Sequence, residues 1–258
     1  MQIATWNVNS VRARLPRILP WLEEHGPDVL CLQETKVIDE LFPTEPFEDL
    51  GYQIACHGQK TYNGVAILSR RGLEDVTRGM PGDGEGEEAR VIAATVDDVM
   101  LLNLYVVNGR EVGCDKYAHK LAWLERVRAY MAERFPAGEK VVVTGDFNIT
   151  FDDRDVYDPE AWRDRILCST PEREALGRIM DLGYTDAFRR FHEEGGLYTW
   201  WDFRTRGYQR GQGLRIDHFL LSTEALEVCT GVEVELGARE GAKPSDHAPV
   251  IVTLGPNP

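Results

Sequence analysis

The stretch that most constrains this chain is Val141-Val142-Val143-Thr144-Gly145-Asp146-Phe147-Asn148. Three consecutive β-branched residues following a helix-like run read as a short strand buried on both faces. Gly145 interrupts the strand, where a bulge or a close backbone approach is expected. Asp146 and Asn148 are two residues apart, so on an extended chain they lean the same way. A carboxylate and a carboxamide then project together from the end of a rigid element, where a functional site holds its groups best. Gly, Asp and Asn are also turn formers, so the octapeptide alone reads equally well as a strand-to-turn junction.

Other strand ends repeat the pattern. Asn7 closes an apolar strand over residues 2–8, and Glu34 follows one over 28–33. Asp217 lies within a strand over 214–222, and Asp246-His247 precede one over 248–254. Polar groups at such positions are costly unless paired or used. Clustered carboxylates need a cation or a proton to coexist, and hard oxygen ligands favour Mg²⁺. A lone His247 reads more readily as structural. Beside Asp246, and with Asp217 available to orient its ring, it gains an acid–base or electrostatic role. The chemistry indicated is metal-assisted hydrolysis of a phosphate ester. Nothing resembles a P-loop or a G-x-S-x-G elbow.

Periodicity predicts helices over 11–24, 117–135 and 171–182, with Pro20 bending or breaking the first. It predicts strand pairs at 52–56 with 64–69 and 90–96 with 100–107, and closing strands at 214–222, 228–236 and 248–254. Residues 57–63 and 108–115 read as loops, and 71–88 as mostly loop. The strands outnumber the helices and are often joined as hairpins, which predicts an α/β-sandwich: two mixed β-sheets packed face to face with helices outside. The 258 residues, 43% of them hydrophobic, suffice for a large core, and no linker-like shift divides them, so one domain over 1–258 is expected. No apolar run approaches the roughly 20 residues of a membrane span, and the N-terminus lacks a signal-like pattern, so a cytoplasmic location is expected. Five scattered cysteines without C-x-x-C suggest neither disulfides nor a zinc site. A net charge of −14 argues against polyanions as partners unless the charge is unevenly spread.

Five motifs in order resemble the exonuclease III family of apurinic/apyrimidinic (AP) endonucleases. They are Trp6-Asn7-Val8-Asn9, Leu32-Gln33-Glu34-Thr35-Lys36, Gly145-Asp146-Phe147-Asn148-Ile149, Leu214-Arg215-Ile216-Asp217 and Lys243-Pro244-Ser245-Asp246-His247-Ala248-Pro249-Val250. They span the chain from its first strand to its last. The resemblance implies a four-layered, DNase I-like α/β-sandwich and an endonuclease/exonuclease/phosphatase-type catalytic domain. The implied enzyme incises DNA 5′ to abasic sites and removes 3′ blocking groups or nucleotides with Mg²⁺, Mn²⁺ being the alternative. The implied partner is double-stranded DNA with abasic sites or 3′ ends, bound by a monomer without a membrane, with nucleoid association during action.

The resemblance also implies roles. Glu34, Asn7 and Asp246 would hold the metal, with Lys36 in support. Asp146 would orient or deprotonate the attacking water, and Asn148 would hold the water or phosphate. His247, paired with Asp217, would donate to the phosphate, and Tyr105 would contact it. Trp200, Leu214 and Ile216 would wall a pocket for a flipped abasic sugar. Arg90, Arg204, Arg206 and Arg210 would meet DNA phosphates. Val107 stands where many relatives have proline, residues 108–115 differ from the familiar pattern, and the acidic charge exceeds the family's. Two other readings compete: a phosphatase acting on a small molecule or lipid headgroup, and a catalytically silent DNA-binding protein.

Overall fold

Alternation along the triple valine decides the layering. Val142 points into a core between two sheets, while Val141 and Val143 point into a second core against helices. The computed structural model describes residues 1–84 and 86–255. Its first half runs β1 (Gln2–Asn7), α1 (Val11–His25), β2 (Val29–Gln33), α2 (Thr44–Glu48), β3 (Gln53–His57), β4 (Val65–Ser69), β5 (Glu74–Arg78), β6 (Val91–Val96), β7 (Val99–Tyr105) and α3 (Asp115–Arg134). The second half runs β8 (Val141–Asp146), α4 (Pro159–Trp162), α5 (Thr170–Met180), β9 (Tyr184–Asp186), α6 (Ala187–Phe191), β10 (Trp200–Trp201), β11 (Gly213–Leu214), β12 (Asp217–Ser222), α7 (Thr223–Glu227), β13 (Cys229–Val234) and β14 (Val250–Leu254).

Two six-stranded sheets form, in the orders β13-β14-β1-β2-β4-β3 and β5-β6-β7-β8-β12-β9. Both are mixed, because β1–β2 and β7–β8 are parallel and their other pairings antiparallel. Between the sheets, Ile3, Cys31 and Ile67 meet Ile92, Val142 and Phe219. Outside the first sheet, Ile18, Trp21 and Leu22 of α1 cover Trp6, Leu30 and Leu32. Outside the second, Trp123 and Val127 of α3 and Leu176 and Ile179 of α5 cover Leu102, Val141 and Val143. Helix, sheet, sheet and helix make the four layers, as expected.

Several local expectations are corrected. The break at Pro20 is absent: α1 continues through Pro16 and Pro20 to a left-handed Gly26 cap. Pro20 removes one backbone donor, and the burial of Ile18, Trp21 and Leu22 around it holds the flanking turns. Residues 71–88 are mostly loop as expected, but within them Glu74–Arg78 pairs with β6 as the unforeseen edge strand β5. Its register slips between Glu74 and Thr77 and its residues are half-exposed, so it lacks the apolar signature of an interior strand. The strand over 214–222 divides. Leu214 pairs with β10, and only from Asp217 does the chain join β8. The three-residue β9 and the short α2 and α6 carry too little pattern to be read in advance.

Gly145 is the close approach that its position suggests. Its φ is 138°, and a Cβ there would lie 1.9 Å from the carbonyl oxygen of Leu104 on the neighbouring strand. Only glycine lets β8 run flush against β7 at this level.

Candidate active site

Register brings the first groups together. Tyr105 is the partner of Asp146 across β7 and β8, and Asp217 is the partner of Asp146 across β8 and β12. Three side chains therefore stand abreast at the ends of three adjacent strands. The first sheet contributes Asn7 and Glu34, at and just beyond the last β1–β2 pair, Asn7 with Gln33. The Asn7 amide crosses between the sheets. It donates to Asp146 Oδ2 at 2.9 Å and to Glu34 Oε1 at 3.1 Å. Tyr105 donates its hydroxyl proton to the same Glu34 oxygen at 2.7 Å.

On the other side, both Asp217 oxygens face His247 Nδ1, at 2.8 and 3.1 Å. His247 Nε2 lies 3.7 Å from Asp146 Oδ2. The one segment carrying Asp246 and His247 is fastened on two flanks. Trp201 N donates to Asp246 O, Ala248 N to Thr199 O, and Ser245 Oγ to Asn7 O. Asp246 accepts from Asn9 Nδ2 at 3.0 Å and from the Trp200 indole at 3.1 Å. Lys36 Nζ lies 2.7 Å from Glu34 Oε2 and 2.6 Å from Asn9 Oδ1.

Asn148 sits in left-handed backbone at φ 50°, as do Asn9, Ser10, Glu34 and Lys36 at the other strand ends. Such conformations cost about 1–3 kcal/mol each and persist where surrounding contacts impose them. At Asn148 those contacts are explicit. Its N–H donates to Asp146 Oδ1 at 2.9 Å and its amide to Val106 O at 3.0 Å and Asp146 Oδ2 at 3.3 Å. Its own oxygen accepts from Asn108 Nδ2 at 3.0 Å.

Burial, countered by the His247 charge and reinforced by the Asp217 charge, raises the Asp146 carboxyl well above the usual carboxylate range. Burial works against protonation of His247, yet the charges of Asp217 and Asp146 outweigh it and raise its pKa, so the ring is held as an imidazolium. Glu34 goes the other way: burial opposes ionisation, but the Lys36 charge and hydrogen bonds from Lys36, Tyr105 and Asn7 win. Asp246 is likewise lowered against its burial, by the His247 charge and by hydrogen bonds from Asn9 and Trp200. Burial and the charges of Glu34 and Asp146 keep the Tyr105 phenol protonated.

Asp146, Asp217 and His247 place their polar atoms within 4.8 Å of one another, and with the ring held as an imidazolium only the two carboxylates there can face a cation. Adding Glu34 and Asp246 gives four acidic groups against the cations of Lys36 and His247. That imbalance, together with the carboxylate oxygens of these four groups, suits a hard divalent cation.

The residues expected to meet the lesion and the DNA separate into two groups. Trp200 is half-buried beside Asp246, and Arg204, Arg206 and Arg210 are exposed. Leu214 and Ile216 are 0% and 1% exposed, sealed with Val156, Leu167 and Cys168 behind Trp200. They back the wall and present no surface of their own. Arg90 is also buried: its guanidinium lies 4.6 Å above the Tyr105 ring and donates to Tyr105 O and Glu88. It braces one face of the Tyr105 ring. Asn9 and Asn108 join the site without having been singled out. Asn9 stands in the first of the quoted motifs and Asn108 opens the divergent loop over 108–115, but neither was given a role.

The model of the Endonuclease/Exonuclease/phosphatase family matches residues 4–247. The chain is 35% identical to Exodeoxyribonuclease III of Haemophilus influenzae, over 97% of this chain and 98% of that one. Among solved structures it resembles a 3′ phosphatase from Neisseria bound to product DNA hairpin, with TM-score 0.95 and 42% identity over 98% of this chain and 99% of that one. It also resembles an AP endonuclease from Archaeoglobus fulgidus, with TM-score 0.94 and 36% identity over 98% and 99%. The matched span runs from β1 to His247 and takes in every strand that builds the cluster; the chain belongs to the Endonuclease/Exonuclease/phosphatase family, in its exonuclease III branch.

Proposed function

We propose that this chain is a divalent-metal-dependent DNA-repair phosphodiesterase. It incises duplex DNA 5′ to abasic sites and removes 3′ blocking groups or nucleotides, acting as one catalytic domain and as a monomer. The observation that carries this reading is the unbroken line Glu34–Asn7–Asp146 lying against His247–Asp217. It places a basic carboxylate and a fixed imidazolium side by side at the end of the sandwich.

Each side chain then has a task that its contacts support. Asp146, whose pKa is raised, accepts the proton of the attacking water, and the amides of Asn7 and Asn148 fix the direction of its carboxylate. His247 keeps its Nδ1 proton against Asp217 and turns Nε2–H toward the phosphate, where negative charge develops. The neutral Tyr105 hydroxyl holds Glu34 and stands at the phosphate. Glu34, Asn7 and Asp246 would hold Mg²⁺, or Mn²⁺ in its place, which would supply Lewis-acid polarisation of a phosphoryl oxygen. Trp200, backed by Leu214 and Ile216, forms the wall against which an extruded abasic sugar packs.

The test is a duplex with one abasic analogue and a second duplex ending in a 3′ phosphate, each with Mg²⁺ or with EDTA. Metal-dependent incision 5′ to the analogue and release of the 3′ phosphate are expected. Hydrolysis of an inositol phosphate with both duplexes left intact would overturn the reading.

A further inference from the structure

One charged side chain near the site has no part in the chemistry above. Lys120 of α3 is 0% exposed, and so is its partner Glu172 of α5. Burying an ion pair in a core is costly, and an apolar pair of similar size is often as stable or more so. What the pair holds is therefore informative. The Lys120 ammonium donates to Asn148 O at 2.7 Å, to Asn108 O at 3.1 Å and to the Glu172 carboxylate. All three of its protons are used. Glu172 is saturated as well, accepting from Leu167 N at 3.1 Å, Ser169 N at 3.2 Å and Ser169 Oγ at 2.6 Å.

The two carbonyls that Lys120 gathers belong to the two residues whose carboxamides meet in the site, Asn108 Nδ2 to Asn148 Oδ1 at 3.0 Å. Asn148 in turn touches Asp146 through its N–H and its amide. The loop carrying Asn108 also rests on the stem of Lys120. A Cβ on Gly109 would come within 3.0 Å of Lys120 Cδ and of Ile166 Cδ1.

We infer that Lys120 is a positioning residue for the reaction: by drawing the Asn108 and Asn148 carbonyls to one ammonium, it sets the paired carboxamides against Asp146. It never touches substrate. The inference rests on the role proposed above for Asn148, and the experiment separates the two. Asn148→Ala alone tests that role and is expected to lower kcat about 100-fold; an unchanged kcat would sink the role of Asn148 and leave Lys120 nothing to position.

Lys120→Met combined with Glu172→Gln removes the charges together and leaves no uncompensated ion. With its near-ultraviolet spectrum and thermal midpoint retained, this variant is expected to lose about 10- to 100-fold in kcat with KM within threefold. Placed in the Asn148→Ala background, the same pair of substitutions is expected to change kcat less than twofold, because its route to the chemistry is gone. A kcat equal to wild type in the folded variant, or a full additive loss in the Asn148→Ala background, would overturn the inference. Should the paired variant fail to fold, Gly109→Ala serves in its place, pressing a methyl group between the loop and Lys120. The same kcat loss, erased in the Asn148→Ala background, supports the inference; wild-type kcat refutes it.

Discussion

Asp146 and His247 balance each other within a few ångströms, and removing either changes more than one charge. Asp146→Asn keeps the shape and the Asn7 contact but abolishes the base, while His247→Ala removes the donor and leaves Asp217 unanswered. Each is expected to lower kcat on an abasic duplex roughly 10²- to 10⁴-fold. A rate within tenfold of wild type at saturating Mg²⁺ would refute the role of the residue concerned. A different histidine contributes to acid stability. His218 is fully buried, donates from Nε2 to Ile149 O, accepts at Nδ1 from Arg215, and lies beside Asp155 and Asp186. Burial, with the Arg215 charge, lowers its pKa from 6.5 to about 4. Between those values the unfolded chain binds the proton and the folded chain does not, so stability is lost as pH falls through this window. The loss amounts to about 3 kcal/mol in full. Denaturant midpoints at pH 7 and pH 4.5 should show it, and His218→Gln should flatten the slope; an equally steep slope in that variant would disprove the assignment. Residues such as Glu34, Asp146 and Asp217 were legible because each interrupts an apolar run. For Arg90, sequence shows a charge but not that the Tyr105 ring lies against its guanidinium. Lys120 was invisible, since on a helix a lysine reads as solvated until the fold buries it.

The strand carrying Asp146 owes its position to a residue without a side chain. At Gly145 the methyl group of Gly145→Ala would meet Leu104 O at 1.9 Å, in backbone at φ 138° that other residues avoid. Neither β7 nor β8 can yield without dislocating Tyr105 from Asp146. The expected cost is roughly 3 kcal/mol or more, read from chemical denaturation, together with loss of cleavage. A change below 1 kcal/mol would mean that the two strands can part. Elements buried on both faces, β8 and β2 among them, announce themselves by composition alone, and α1 and α3 by a periodic apolar stripe. Edge and linking pieces do not. The bulged β5 exposes half its surface, β9 is three residues long, and the β11–β12 division depends on a partner strand far away in sequence.

For the whole molecule, a net charge of −14 coexists with four acidic groups converging on one end of the sandwich. A divalent cation bound there should stabilise the folded chain by mass action, by about 2.7 kcal/mol at a hundredfold excess over its Kd. Thermal melts without DNA should shift upward with Mg²⁺ or Mn²⁺ and return with EDTA, and Glu34→Gln should blunt the shift. An unchanged shift in Glu34→Gln would remove that residue from the metal site. No described helix is long and apolar enough to cross a membrane. The order of strands carries a last consequence. β1 lies between β2 and β14, and Asn7 on β1 must meet Asp146, made some 140 residues later, while His247 arrives just ahead of β14. The sheet that holds β1 is thus completed only by β13 and β14, and Asp246 arrives together with His247. The site's groups therefore meet only where both sheets have packed and the segment ahead of β14 has joined them.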